Sequence, residues 1–240
     1  MMRRASRSPG LKRLHSFLVC TAAVFVTSTA LVLAGDKKDA GEWVQESTGD
    51  GVVIHSRTRA GSTLKEFRGI GVIDAPPNVV FAVLDDTESY TEFMPYTSEV
   101  RVLKREKNTV LAYQRLDLPF VSDRDYTLRS KHDTWRGADG LIYRIRWEPA
   151  NDVGPAVKPG VSRVNLCEGG WLLEPDPSGG TRAVYSIFTD NGGALPQFVA
   201  SNASRMAIRK LFDAIRNQAK NPKYAAVKTA STSGGDAGGR

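Results

Sequence analysis

The residues of this chain that could do chemistry are few, and the densest group is Ser122-Asp123-Arg124-Asp125-Tyr126. On an extended strand Asp123 and Asp125 share one face, as an acid/base pair requires, while Arg124, Tyr126 and Leu128 take the other. The same pattern also opens an ordinary solvated strand, and that is the expectation for the two carboxylates. Arg124 is expected either in a buried structural ion pair, with Glu168 as partner, or in contact with a ligand's charged group. Ser62-Thr63-Leu64-Lys65 matches a Ser-x-x-Lys nucleophile pattern, yet it falls at a turn and lacks the Ser-Asp-Asn and Lys-Thr-Gly companions. His55, His132 and Cys167 show no metal-ligand spacing. There is no Gly-x-Ser-x-Gly elbow and no phosphate-binding glycine loop. These residues predict a non-enzymatic protein without metal or cofactor.

The elements that must position these residues are mostly strands. Residues 51–59 and 64–73 read as strands joined through Ala60-Gly61-Ser62. Residues 75–86 read as a short helix, with Pro77 in its first turn and Val80, Val83 and Leu84 on one face. A second helical turn over 87–96 stops at Pro95. Strands follow over 98–105, 109–117, 123–133, 140–148, 161–174 and 181–190, separated by Gly-, Pro-, Asn- and Asp-rich turns. In 141–148, Leu141, Tyr143, Ile145 and Trp147 alternate with Ile142, Arg144, Arg146 and Glu148, which predicts one buried and one wet face. The loop 149–160 is long enough to suggest a functional role.

A final helix is expected from Leu195 to Asn217, about 34 Å long. Leu195, Phe198, Val199, Asn202 and Met206 form one arc of it, and Ile208, Leu211, Phe212 and Ile215 form another. A helix burying a single stripe would not show two arcs. Gly192 and Gly193 allow the chain to reverse before it, and Pro196 suits its start.

The ends read differently. In residues 1–34, five basic residues precede an uncharged run from Ser16 to Ala34 that closes on small residues before Gly35. This is the pattern of an export signal that is cleaved, and a retained membrane anchor over 16–34 is the alternative. The chain has 33 basic and 26 acidic residues, net +7, but the part after residue 34 is 28 against 26. A nearly neutral domain argues against nucleic acid as a partner. One cysteine beyond the signal, Cys167, leaves no intramolecular disulfide. Residues 219–240, rich in Gly, Ser, Thr and Ala, are expected to be a disordered tail.

Three stretches resemble START domains, the lipid-transfer members of the helix-grip, Bet v 1-like (SRPBCC) superfamily, and most closely the bacterial ones. They are LPFVSDRDYTLR (118–129), EGGWLLEPDPSGGTRAVYSIFTD (168–190) and DNGGALPQFVASN (190–202). The resemblance covers about residues 42–218. It implies an α+β fold in which a curved antiparallel sheet grips the C-terminal helix around an internal apolar cavity holding one lipid. The sterol-type charge pair of the family is not identifiable here.

On that reading, alternation and the helical arcs nominate Tyr126, Leu128, Tyr143, Ile145, Trp147, Leu195, Phe198, Val199, Asn202 and Met206 as cavity wall. Asn202, an amide among apolar neighbours, needs a polar partner. Phe93 and Met94 are expected at the rim, and Arg124 and Glu168 at a lipid head group or as a structural pair. The implied function is a monomeric, exported carrier of one hydrophobic molecule with transient membrane contact. The alternatives are a cyclase or hydrolase acting on a polyketide or aromatic substrate, and a membrane-tethered lipid sensor.

Overall fold

The structure is a computed structural model of the chain. It describes residues 41–119, 121–190 and 197–227, with the backbone alone for 197–200. In chain order the strands are β1 (Val44–Gly49), β2 (Val52–Thr58), β3 (Lys65–Ile73), β4 (Thr97–Glu106), β5 (Thr109–Leu116), β6 (Arg124–Arg136), β7 (Leu141–Pro149), β8 (Ser162–Arg163), β9 (Leu166–Pro175) and β10 (Thr181–Asp190). The helices are α1 (Pro77–Asp85), α2 (Tyr90–Phe93) and α3 (Gln197–Gln218). The strands form one curved sheet in the order β1-β2-β3-β10-β9-β7-β6-β5-β4, antiparallel apart from β8, which runs parallel to β6 off that path. This is the expected α+β architecture.

Two stretches differ from the sequence expectation. β1 was not expected as a strand, because V-Q-E-S-T-G carries no apolar alternation; it owes its order to pairing with β2 at the sheet edge. The span 161–174 divides into the two-residue β8 and the long β9. The first residues of the supposed disordered tail are also packed. Tyr224 is 4% exposed, and its hydroxyl donates to the Asp86 carboxylate at 2.7 Å. Pro222 and the Asn221 side chain, which accepts from Lys223 N, set a single 3-10 turn that presents that ring.

The main core collects side chains from β2, β3, β7, β9 and β10 and closes them under α1 and α3. α1 contributes Val79, Val80, Val83 and Leu84, and Pro77 sits in its first turn, where a missing N–H is harmless. α3 contributes Ile208, Phe212 and Ile215, which are 2%, 0% and 0% exposed. Their close approach depends on two glycines of β3. A Cβ on Gly69 would lie 2.6 Å from Ile208, and one on Gly71 would lie 3.1 Å from the Phe212 ring and 2.8 Å from the Gly51 carbonyl oxygen. The helix thus beds into a strip where the sheet has no side chains.

Higher up α3 the attachment is polar. Glu46 of β1 accepts from Arg205 at 2.7 Å, from Lys65 at 2.7 Å and from Ser56 at 2.5 Å. One carboxylate therefore ties β1, β2, β3 and α3. The Lys65 and Ser56 hydrogen bonds hold its pKa below the ordinary carboxylate range, against the opposing effect of burial.

Gly71→Ala should lower stability by about 1–3 kcal/mol in denaturant unfolding, because the new methyl group meets backbone that cannot turn aside. Glu46→Gln should remove a part of the stability that exists at neutral pH. With the folded pKa below the unfolded one, that part is present above about pH 4.5 and fades as pH falls through the folded value. The wild-type and Glu46→Gln unfolding curves should accordingly converge on acidification.

Candidate functional site

Strand alternation places Tyr126 and Leu128 of β6, Tyr143, Ile145 and Trp147 of β7, Trp171 and Leu173 of β9, and Tyr185 and Ile187 of β10 on the face of the sheet that carries the two core clusters. The aromatic rings form a line across it. Trp147 and Tyr185 have centroids 5.8 Å apart, Tyr185 and Trp171 4.8 Å, and Trp171 and Phe212 of α3 5.3 Å. Gly169 of β9 makes room for the first of these rings, since a Cβ there would lie 2.6 Å from Trp147.

The two clusters are joined through partly buried side chains. Leu128, Val164 and Cys167 form the smaller one, and Trp147 and Ile187 pack against both. Tyr126 and Tyr185 are likewise only partly buried by area, although desolvation drives both phenol pKa values well up. The Tyr126 hydroxyl donates to Gln114 Oε1 at 3.1 Å. Trp147 Nε1 is buried with no partner in hydrogen-bonding geometry. The Cys167 sulfur is beside it, but burial pushes that thiol up to about 12, so Cys167 is a neutral hydrophobe at physiological pH rather than a nucleophile.

Of the residues nominated from sequence, Tyr126, Leu128, Tyr143, Ile145 and Trp147 come together on this face. Tyr143 stacks on Phe81 of α1 at 4.9 Å. Near them His132 lies 3.3 Å from the Asp85 carboxylate, and burial lowers its pKa despite that neighbour. Phe93 and Met94 pack on the edge of the main core. Phe93 also borders an open depression of about 540 Å³ with Ala214, Asn217 and Pro222, at the far end of α3. Leu195, Phe198 and Val199 lie outside the described side chains.

Three nominations are corrected. Glu168 faces the opposite side of the sheet, because alternation pairs it across from Phe188, and it binds Arg59 at 2.5 Å. Asn202 is exposed, and its amide oxygen takes its partner from Arg205, one turn along the same helix. Met206 is 56% exposed. Asn202 and Met206 turn to solvent, since the helix is registered by Ile208, Phe212 and Ile215.

The Asp-Arg-Asp cluster is structural. Arg124 is 5% exposed, as a buried cation should be. Its expected partner Glu168 is on the other face, however, and Arg124 Nη1 donates to the carbonyl and hydroxyl of Ser122. Asp125 is fully buried rather than solvated. Arg163 Nε reaches it at 2.6 Å, Arg163 Nη2 at 3.1 Å, and the Tyr113 hydroxyl at 3.2 Å. Asp123 belongs to a different arginine, Arg115, at 2.6 Å. The two carboxylates therefore share a face without forming a dyad. The long loop is fixed by the same device. Asn151 accepts from Thr127 N and donates to the Val164 carbonyl, each at 2.8 Å, so residues 150–164 are strapped to β6.

Sequence reasoning missed Tyr185, Ile187, Trp171 and Gln114. The alternation of Ala183, Tyr185 and Ile187 was a sufficient signal for β10, and register to Tyr126 makes Gln114 its neighbour. Among the described residues no group of three or more His, Cys, Asp or Glu could hold a metal ion.

With this geometry established, comparison with known proteins is informative. A family model described as "Polyketide cyclase / dehydrase and lipid transport" matches residues 73–216. An uncharacterized protein of Pseudomonas aeruginosa is 29% identical over 186 residues, which cover 77% of this chain and 86% of that protein. The crystal structure of a STAR-related lipid transfer protein fragment from Xanthomonas axonopodis is 26% identical with a TM-score of 0.66, over 75% of this chain and 99% of that one. Human StAR-related lipid transfer protein 5 shares the fold at 18% identity and a TM-score of 0.64, over 76% of this chain and 88% of that one.

Arg163→Ala should cost about 3–5 kcal/mol in denaturant unfolding, because it strands the Asp125 carboxylate in the interior. The double variant Arg163→Met, Asp125→Leu should recover much of that loss. An acid/base role for Asp125 would instead show as lost activity in a fully stable Asp125→Asn protein.

Proposed function

The chain belongs to the polyketide cyclase/dehydrase and lipid transport family and has a START-type helix-grip fold, and from that premise we propose that it is a non-enzymatic carrier of a single hydrophobic molecule. The molecule would lie against the aromatic face of β6, β7, β9 and β10. One observation carries the reading. Tyr126, Trp147, Tyr185 and Ile187 remain partly accessible to a water-sized sphere, while the phenols of Tyr126 and Tyr185 are so shielded that their pKa values rise. Apolar and aromatic surface that stays accessible on the inner face of the sheet leaves room there for a guest. The similarity to a protein named for lipid transfer supports the same ligand class.

The mechanism is burial. Each methylene removed from water contributes about 0.8 kcal/mol, so a long acyl chain is held without any strong polar contact. Aromatic walls suit this because they present large apolar area in few rotamers. Release requires the space to open at a membrane surface, and in this reading the strapped segment 150–164 stays closed. Residues 1–34 have the charge pattern of an export signal, which would place the carrier outside the cytoplasm.

Protein purified from its own host should carry a co-purifying lipid in native mass spectrometry. Ile187→Trp, which adds bulk to the wall, should lower the loaded fraction at least severalfold with the melting transition retained. Consistently empty wild-type protein that turns over a polyketide-like substrate would replace the carrier by an enzyme.

A further inference from the structure

The face of the sheet turned away from the core carries one row without a carboxylate. Strand register sets His55, Arg68, Ser186, Gly170, Arg146 and Lys131 side by side across β2, β3, β10, β9, β7 and β6. At the usual spacing between strands that row is about 24 Å long. The neighbouring row is aliphatic: Val53, Ile70, Val184 and Leu172 lie in register, and each keeps part of its surface exposed. Beyond it Val72 is 44% exposed. The helices α1 and α3 close the opposite face, and the segment 150–164 is strapped to the first half of β6, so neither covers these rows.

The acids on this outer face are already paired. Glu66 binds Arg57, Glu168 binds Arg59, and Glu174 binds Arg182. Asp133 takes both Arg144 and Arg146, and Glu148 has Arg129 at 3.7 Å. Arg68 and Lys131 are left without an ion pair among the described residues. Lys131 is exposed. Arg68 lies 4.2 Å from the Trp43 ring centroid, with Arg57 at 4.5 Å from the same ring, and its Nε is buried without a hydrogen-bond partner. Burial, then the like charges of Arg57 and Arg182, lower its pKa against the pull of Glu66. A negative charge brought to this row relieves that repulsion.

A soluble anion would meet the cations alone and leave the aliphatic row in water. Cations beside half-exposed aliphatic side chains, with an indole at the edge, match instead the boundary of a bilayer, where phosphates lie outermost and acyl chains begin. Val44, next to that indole, is 61% exposed.

We propose that this outer face docks on a membrane surface bearing anionic lipid headgroups, with Arg68, Arg146 and Lys131 over the phosphates and the aliphatic row at the headgroup boundary. The inference does not rest on the carrier reading, since it uses the face opposite the aromatic wall.

The test uses the full chain with vesicles of phosphatidylcholine, alone or mixed equally with phosphatidylglycerol. Residues 1–34 are basic and apolar enough to bind vesicles on their own, so the readout is local. Acetylation of Lys131 by a water-soluble active ester is followed by peptide mass spectrometry, with Lys220, beyond the end of α3, as the internal control. Lys131 should be protected severalfold on the mixed vesicles and not on phosphatidylcholine, while Lys220 reacts equally on both. Arg68→Gln, with its unfolding transition retained, should need about fivefold more mixed lipid for half protection, the worth of one cation near an anionic surface. Arg68→Lys should restore the wild-type value. Equal acetylation of Lys131 on the two kinds of vesicle overturns the proposal, as does an unchanged half-point in Arg68→Gln. Equal protection by glycerol phosphate at the same phosphate concentration overturns it and leaves a site for a soluble anion. Protection by polyglutamate but not by the mixed vesicles overturns it in favour of an acidic protein partner.

Discussion

The bedding of α3 against β3 is the constraint on which the rest depends. Phe212 and Ile208 reach the sheet because Gly69 and Gly71 leave a strip bare of side chains, and Ile215 extends the same contact. A helix placed so close packs chiefly on β3, with further contacts to β2, α1 and α2 and one ring contact from Phe212 to Trp171 of β9. The rest of the concave face must find other cover. At one end α1 supplies it, with Phe81 over Tyr143 and His132. Across β6, β7, β9 and β10 the sheet presents Tyr126, Trp147, Tyr185 and Ile187, which are only partly buried. A tight grip on one side of the sheet and a looser aromatic wall on the other are two results of one packing choice.

Alternation then sorts charge as well as bulk. Arg57–Glu66, Arg59–Glu168, Arg182–Glu174 and Arg144–Asp133 pair along strands whose opposite faces bear the aromatic wall or the core. These partly exposed pairs stabilise little individually. Their consequence is that these four pairs stay off the wall. Asp125 with Arg163 is different, because the carboxylate is fully buried. There the pair binds an irregular segment to β6 and fixes its geometry, a use for which breaking the pair is far more costly than never having had it.

The sequence was a good guide wherever an argument stayed local and a poor one wherever it needed a distant partner. Period-two alternation in 141–148 and the two arcs of the last helix gave both the sheet and the clamp, since strand faces and helix faces follow from spacing alone. The same alternation put Asp125 on the face opposite Tyr126. It could not say that Arg163 would bury it, because that contact spans 38 positions. Glu168 was assigned to the wall for want of its real partner, Arg59, which is 109 positions away. Asn202 failed for another reason. An amide in an apolar arc looks buried, but which part of an arc is buried depends on how the helix is rolled, and that is decided by Ile208, Phe212 and Ile215 further along.

On the carrier reading, what would suit the wall to releasing a guest as well as holding it is the balance between two kinds of contact. Apolar burial grows with every methylene and does not discriminate one chain from another. Hydrogen bonds from neutral donors are worth much less each, but they are lost outright when the complementary oxygen is missing. A charged clamp would select a headgroup more sharply, yet it would have to be broken and resolvated at each release, at a cost that grows as the site dries. Neutral phenol and amide groups on this face, such as those of Tyr126 and Gln114, would on the carrier reading avoid that barrier, because water at a membrane surface can replace their single bonds. On the carrier reading, retention by bulk and by neutral polar groups is therefore compatible with release.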